Sequence, residues 1–227
     1  MKLLISAGPT REYLDSVRFL SNPSSGRMGY ALAREAARRG HEVTLVSGPV
    51  SLPPPPDVTV VRVESAAEMS AACKRAFRTA DAAIMCAAVC DYRPVQRGKL
   101  KLPKQTRPFR ITLEPTEDIA AALGGRKGRR VLVGFAMEDH DPHAKAERKL
   151  RQKRCDLIVL NGPGNIGTET AVVEFYTPQG GWEPPIRGSK SAVARAILVR
   201  LEALLAGRPI TKDASFSTRR ASRRRVN

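Results

Sequence analysis

Leu3-Leu4-Ile5-Ser6-Ala7-Gly8 is a short apolar run ending on a glycine, and Ser21-Asn22-Pro23-Ser24-Ser25-Gly26-Arg27-Met28-Gly29 stands at the mouth of a helical pattern. The first stretch reads as a buried strand. The second turns into a helix over 28–39, with Gly40 placed to end it in a left-handed cap. The apolar run spans about half a dozen residues, short of the ~7–15 of a secretion-signal core. The intervening loop, 8–27, far exceeds the ~2–6 residues usual between a strand and its helix, so it is expected to carry function.

Outward from this start, apolar runs at 42–47, 58–63, 82–87, 131–135 and 156–160 alternate with helical patterns, which predicts a parallel sheet covered by helices. The run at 82–87 is continuously apolar and should be buried on both faces. Ser65 and Glu68 have capping-box spacing, so a helix is expected from there to about residue 78. Thr116 is expected to cap a short helix reaching about residue 123, with Glu117 and Asp118 in its first turn. Further helices are expected over 143–153 and 189–206. Weaker strands are expected at 110–113 and at 172–176, the latter antiparallel. Residues 89–105 hold Pro94, Gly98 and Pro103 among several cations and read as an exposed arm. The predicted fold class is α/β: a Rossmann-like three-layer sandwich with a mostly parallel sheet and an extended arm.

Composition limits the partners. Hydrophobic residues make up 42% of the chain, enough for a core, yet no run reaches the ~18–20 residues that span a bilayer. No membrane partner and a cytoplasmic location are therefore expected. The four cysteines, Cys73, Cys86, Cys90 and Cys155, form no CxxC pair and sit in apolar segments, as buried thiols of a reducing compartment do. Of the net charge of +17, a disproportionate share lies near the end, where Lys212, Arg219, Arg220, Arg223, Arg224 and Arg225 face only Asp213. Residues 1–208 are expected to form the domain. Residues 209–227 read as a basic, disordered tail open to non-specific nucleic-acid contact.

Ligands of an open parallel sheet bind beyond the carboxyl ends of its strands. After the first strand, Ser24, Ser25 and Gly26 precede a helix whose free amides and positive dipole end would hold an anion; the same residues also fit a plain N-cap. After 82–87, Ala87 and Ala88 permit close approach of a flat ring or a phosphate chain. Asp91 would hold a metal, accept from a base, or merely cap a turn. Lys99 and Lys101 alternate, so both ammonium groups lie on one side of an extended arm, facing either phosphates or solvent. Phe135 ends a strand and either stacks on a base or plugs the core. Lys145, Lys149 and Lys153 recur every fourth residue along one helical face.

Six blocks carry a resemblance: Gly8-Pro9-Thr10-Arg11-Glu12; Val17-Arg18-Phe19-Leu20 with the Ser21–Gly29 run; Ala87-Ala88-Val89-Cys90-Asp91-Tyr92-Arg93-Pro94; Lys99-Leu100-Lys101; Gly134-Phe135-Ala136-Met137-Glu138; and Asp156-Leu157-Ile158-Val159-Leu160-Asn161. Together they resemble bacterial-type phosphopantothenoylcysteine synthetase, the synthetase half of the bifunctional coenzyme A biosynthesis protein. They follow that family's order over about residues 2–205. The resemblance implies a ligase joining 4′-phosphopantothenate to L-cysteine through an acyl-nucleotide, with release of pyrophosphate and a nucleoside monophosphate. It implies Mg2+, CTP in preference to ATP, and a homodimer whose arm reaches toward the neighbour's site.

The same resemblance assigns roles. Asn22, Lys99 and Lys101 are the implied catalytic residues, with Asn22 holding the intermediate. The implied nucleotide site is Gly8, Ser24, Ser25, Gly26, Met28, Gly29, Cys86, Ala87, Ala88, Asp91 and Lys99, completed by Glu117, Asp118, Ile119, Phe135, Lys149 and Lys153. Asp91 is the implied metal ligand. Relatives often carry another lysine where this arm has Leu102, so which lysine acts stays open. Nothing resembles the flavin-dependent decarboxylase half of the bifunctional protein, so ligation alone is expected.

Two other classes fit less well. An NAD(P)-dependent oxidoreductase would place G-x-G-x-x-G after Ala7 and an acid at the end of the second strand, where Ser47-Gly48-Pro49 stands. A nucleic-acid-binding module would interleave aromatics with its cations, and aromatics are only 5% of the chain.

Overall fold

A computed structural model describes residues 1–104 and 106–207. In chain order the elements are β1 (Lys2–Ala7), β2 (Arg11–Tyr13), β3 (Phe19–Ser21), α1 (Arg27–Arg38), β4 (Glu42–Ser47), β5 (Val58–Arg62), α2 (Ala66–Phe77), β6 (Ala82–Met85), β7 (Tyr92–Pro94), β8 (Leu113–Pro115), α3 (Ile119–Gly124), β9 (Val131–Met137), α4 (Pro142–Lys153), β10 (Leu157–Asn161), β11 (Thr170–Thr177), β12 (Gly181–Trp182), β13 (Ile186–Ser189) and α5 (Lys190–Leu205). The central sheet runs β12-β11-β10-β9-β6-β1-β4-β5, with β13 also on β11. Its six strands from β10 to β5 are parallel, and β11 pairs antiparallel on β10 as expected.

Alternation along the strands divides the core into two layers. Leu3, Ile5, Ile84, Val133 and Val159 face one way and pack with Tyr30, Leu32, Ile197 and Leu201 of α1 and α5. Leu4, Ala83, Leu132 and Ile158 face the other way, against Met69, Cys73, Ile119, Ala146 and Leu150 of α2, α3 and α4. All four residues of β6 are buried, as a central parallel strand demands. Tyr30 is 1% exposed and needs a polar partner for its hydroxyl. It finds one in Ser47 Oγ at 3.1 Å. The capping box at Ser65 and Glu68 is present in both directions.

Several expectations shift for local reasons. The 8–27 loop contains an antiparallel hairpin, β2 on β3, so its length is structured. The 82–87 strand stops at Met85, because the Ala87 amide turns to Ser6 Oγ at 3.1 Å. The strand expected at 110–113 lies at Leu113–Pro115 and pairs with β7, forming the root of the arm. Thr116 is not the cap of α3: its Oγ1 donates to Cys90 O at 2.5 Å, and Asp118 caps instead by accepting from the Ala121 amide at 3.0 Å. No serine caps α1; its N-cap is Gly26, with φ of 74° and no side-chain hydrogen bond. The basic tail expected at 209–227 lies outside the described residues. No helix among the described residues is long and apolar enough to cross a membrane.

Candidate functional site

The carboxyl ends of β1, β4, β6 and β9 share one edge of the sheet, and three glycines allow close packing there. Gly8 follows β1 with φ of +75°, and a Cβ there would stand 2.9 Å from Val50 Cγ1. Gly26, also left-handed, would place a Cβ 2.7 Å from the same methyl. Gly29 has no room at all: a Cβ would lie 2.4 Å from Ala7 Cβ. Gly29 thus lets the first turn of α1 sit on the end of β1, while Gly8 and Gly26 make room for Val50 of the loop after β4. No side chain caps that turn, so its first amides remain free for an anion, favoured by the helix dipole. Ser24 Oγ accepts from the Gly26 amide at 3.4 Å, which tightens the approach to the helix; Ser25 is exposed. Met28 packs its half-buried side chain on the core beneath.

The segment after β6 is fastened to this start. The Ala88 amide donates to Gly8 O at 2.9 Å. Asn22 Nδ2 donates to both Ala88 O and Val89 O at 3.1 Å, joining the loop before α1 to the loop after β6. That use of the amide nitrogen leaves Asn22 Oδ1 available as an acceptor. The Cys90 amide donates to Thr10 Oγ1 at 2.9 Å, and its buried thiol donates to Thr10 O at 3.4 Å. Burial raises the Cys90 thiol above its ordinary range, so it serves packing rather than nucleophilic attack. Cys86 sits half-buried at the same edge, its thiol pushed up to about 12 by burial.

A second group adjoins the first through Thr116, whose amide donates to Asp91 O at 2.8 Å. Asp118 accepts an ion pair from Lys153 at 3.1 Å, and Lys149 meets Glu138 at 2.5 Å. Glu138 Oε1 is buried and lacks a well-aligned hydrogen bond despite that contact. Two lysines of α4 thus point at the carboxyl edge, each balanced by an acid that a polyanion would displace. Ile119 is buried under α3, and Phe135 on β9 is half-buried against the α1 side of the core. Glu117 turns away from this group. Its carboxylate accepts from Lys74 Nζ at 2.5 Å and from Ser70 Oγ at 2.6 Å, and the Lys74 hydrogen bond is the foremost cause of its lowered pKa. Asp91 is exposed, and among the described residues no three His, Cys, Asp or Glu side chains gather as a metal site.

Lys99 and Lys101 lie apart from both groups, exposed on the arm. The arm's hydrogen bonds run to the turn between β2 and β3 at Leu14, Asp15 and Arg18. Spacing assigns no role to Thr10, Asp15 or Glu138. Thr10 and Glu138 act through tertiary contacts that leave no local pattern. Asp15 does carry a signal, since an Asp side chain readily accepts from backbone amides two or three residues on and so favours a turn closed by its own side chain.

Residues 1–205 match the family described as DNA/pantothenate metabolism flavoprotein C-terminal domain. The chain is 42% identical over 211 residues to the coenzyme A biosynthesis bifunctional protein CoaBC of Vibrio vulnificus, covering 89% of this chain and 52% of that protein. It is 50% identical over 175 residues to a protein of an unknown prokaryote named cysteine/cysteine sulfinic acid decarboxylase, covering 74% of this chain and 49% of the other. The chain therefore spans about half the length of these curated relatives. Among solved structures, the C-terminal domain of CoaBC superposes with a TM-score of 0.78 at 41% identity, covering 91% of this chain and 96% of that one. A Cab2 variant in complex with phosphopantothenate-cysteine gives 0.75 at 16% identity, covering 91% and 88%, a likeness of fold.

Proposed function

The chain belongs to the DNA/pantothenate metabolism flavoprotein C-terminal domain family, and from that premise we propose that it ligates 4′-phosphopantothenate to L-cysteine through an acyl-nucleotide. The carboxylate of phosphopantothenate attacks the α-phosphorus of a nucleoside triphosphate, and pyrophosphate leaves. The cysteine amine then attacks the acyl carbon, and the nucleoside monophosphate leaves with the former carboxylate oxygen. The observation that carries this reading is the double hydrogen bond from Asn22 to Ala88 O and Val89 O. It joins the free amides of α1 to the wall after β6, so a phosphoryl group and the acyl group it activates share one cleft.

The proposed roles are those the resemblance implies, and geometry and charge support them. The free amides at the start of α1, with Gly8 and Gly29 clearing space, receive phosphate oxygens. Ala87 and Ala88 admit the nucleotide against the backbone. Lys149 and Lys153, released from Glu138 and Asp118, and the arm's Lys99 and Lys101 oppose the charge that develops on the triphosphate. Asn22 Oδ1 faces the acyl group and orients the incoming amine. No covalent enzyme intermediate is required, in keeping with raised cysteine pKa values. Magnesium characteristically takes most of its ligands from phosphates and water, so a lone Asp91 suits it. Bound there, magnesium would neutralise the departing pyrophosphate.

CTP is the proposed nucleotide, because the sequence resembles the bacterial, CTP-using type. A second copy of the chain is the proposed partner. Val17, Phe19, Tyr92, Val95, Leu100 and Phe109 are large apolar residues exposed on the hairpin and arm, where a protein surface covers such a patch. A reducing cytoplasm suits the free thiols. Incubation with phosphopantothenate, cysteine, magnesium and each nucleotide tests the proposal. Pyrophosphate release is expected with CTP ahead of ATP; release with neither would sink it.

A further inference from the structure

Lys99 and Lys101 stand on a short bow, residues 98–102, whose two ends are tied to one turn of the chain. At one end the Gly98 amide donates to Leu14 O at 2.9 Å. At the other, the Leu102 amide donates to Asp15 Oδ2 at 3.1 Å, and Leu102 O accepts from Arg18 Nη2 at 2.8 Å. Between the ties, Lys99, Leu100 and Lys101 are exposed, and no hydrogen bond among the described residues holds them directly. Their place is therefore set by the ties.

Asp15 is the common point. Its side chain is fully buried beside Arg18. Oδ1 accepts from the amides of Val17 and Arg18, both at 2.8 Å, which closes the local turn. Oδ2 faces the arm instead, where it accepts from Arg18 Nε at 2.8 Å, Arg18 Nη2 at 2.6 Å and the Leu102 amide. One oxygen shapes the turn between β2 and β3, and the other holds the arm. Gly98 allows this closeness, since a Cβ there would stand 3.3 Å from Asp15 Cβ. Arg97 adds a contact by lying 4.6 Å above the Tyr13 ring.

We infer that Asp15 is a positioning residue for the lysine bow: through Oδ2 and the Arg18 guanidinium it fixes where Lys99 and Lys101 stand as charge develops on the nucleotide. The inference rests on the proposed ligase reading, in which those lysines serve the nucleotide step. Fixed charges stabilise a transition state without reorganising at the moment of reaction, and a loosened bow loses that advantage. The Arg18 backbone amide foremost, with Val17, the guanidinium and the Leu102 amide, holds the Asp15 carboxyl well below the usual carboxylate range despite its burial.

Asp15→Asn separates the two oxygens. An amide oxygen retains the turn at Oδ1, whereas an NH2 group in place of Oδ2 meets the Leu102 N–H and the guanidinium as donor against donor. Phosphopantothenate-dependent pyrophosphate release is measured for the wild type, Asp15→Asn, Lys99→Ala/Lys101→Ala, and the triple variant. Asp15→Asn is expected to lower kcat on the order of 100-fold, as an ångström-scale misplacement does, with little change in the KM for cysteine. In the lysine-free background it should have no further effect. An equal loss in both backgrounds, or none in either, would overturn the inference.

Amide exchange of the 98–102 segment gives a readout independent of activity. Faster exchange there in Asp15→Asn, with the sheet unchanged, is expected; unchanged exchange would overturn the tie even if the wild type released no pyrophosphate. That last result would instead count against the ligase reading. Should Asp15→Asn fail to fold, Gly98→Ala, whose Cβ would stand 3.3 Å from Asp15 Cβ, displaces the bow slightly, and a smaller loss confined to the lysine-bearing background is expected; an equal loss in both backgrounds would overturn the inference.

Discussion

Gly29→Ala perturbs the contact on which the cleft is built. The added methyl would lie 2.4 Å from Ala7 Cβ, 3.1 Å from Ala7 Cα and 3.2 Å from Ser6 O. Carbon atoms pack at ~3.5–4.0 Å, so α1 must retreat from β1 by roughly 1 Å or more. Overpacking of this kind costs about 1–3 kcal/mol, and alanine's better helix propensity offsets about 1 kcal/mol of it. The net is about 0–2 kcal/mol, or a melting temperature lower by at most roughly 8 °C for a domain of this size. The functional loss should be larger. A shift of about 1 Å in the anion-binding turn is expected to lower kcat/KM for the nucleotide on the order of 100-fold. Gly125→Ala supplies the comparison, because its φ is −62° and the nearest atom to a new Cβ is 3.6 Å away. It should change neither melting nor turnover. Thermal melts and nucleotide saturation curves for both variants decide the matter. A Gly29→Ala protein with wild-type melting and wild-type kcat/KM would refute the close-approach reasoning.

Other perturbations probe separate parts. Asn22→Asp turns an oxygen toward Ala88 O and Val89 O in place of the donor nitrogen, so ligation of cysteine should slow about 100-fold while the acyl-nucleotide accumulates; mass spectrometry showing unchanged turnover and no intermediate would contradict this. Glu35 is held at about 2, first by its hydrogen bond to Arg38 and also by Arg39 and Arg195. A depressed carboxylate pKa stabilises the fold fully above its ordinary value near 4.5 and ceases to do so as pH falls through about 2. Between pH 5 and 2, denaturant-derived stability should therefore fall by roughly 1–3 kcal/mol more in the wild type than in Glu35→Gln, after solvent screening; parallel curves would argue against the Arg cluster. Burial pushes the Cys73 and Cys155 thiols up to about 12. Neither should react with a disulfide reagent at about pH 8 until denaturant is added, and fast labelling of either in the native protein would show that its helix layer opens.

The parallel sheet is legible from β1 outward, because continuous apolar runs separated by helical periods leave few other arrangements. The antiparallel β11 and the Ser65 capping box are legible for a related reason: their signals lie within a few residues. The hairpin of β2 and β3 is not, since three-residue strands alternate too briefly to register. Nor is the switch of caps from Thr116 to Asp118. Either residue suits the position, and Thr116 is drawn off by Cys90 O, 26 residues away along the chain, a contact that no local pattern encodes. At the site, the glycines and Asn22 are legible as residues but not as a contact. Their meaning depends on Ala7, Val50, Ala88 and Val89, which come from other loops and strands. The arm expected at 89–105 is mostly exposed from Asp91 onward, but Val89 and Cys90 are drawn into the wall after β6 by Asn22 and Thr10; the arm's ties to Asp15 and Arg18 span 87 and 84 residues and leave no trace in the spacing.

The fate of one oxygen tests the proposed chemistry most directly. Phosphopantothenate labelled with 18O in its carboxylate is turned over with magnesium, cysteine and CTP, and the products are weighed. Attack on the α-phosphorus carries one labelled oxygen into the nucleoside monophosphate and none into pyrophosphate. Label in CMP, with the second retained in the amide of the product, is the expected result. Unlabelled CMP, or label appearing in an inorganic phosphate, would contradict the acyl-nucleotide route.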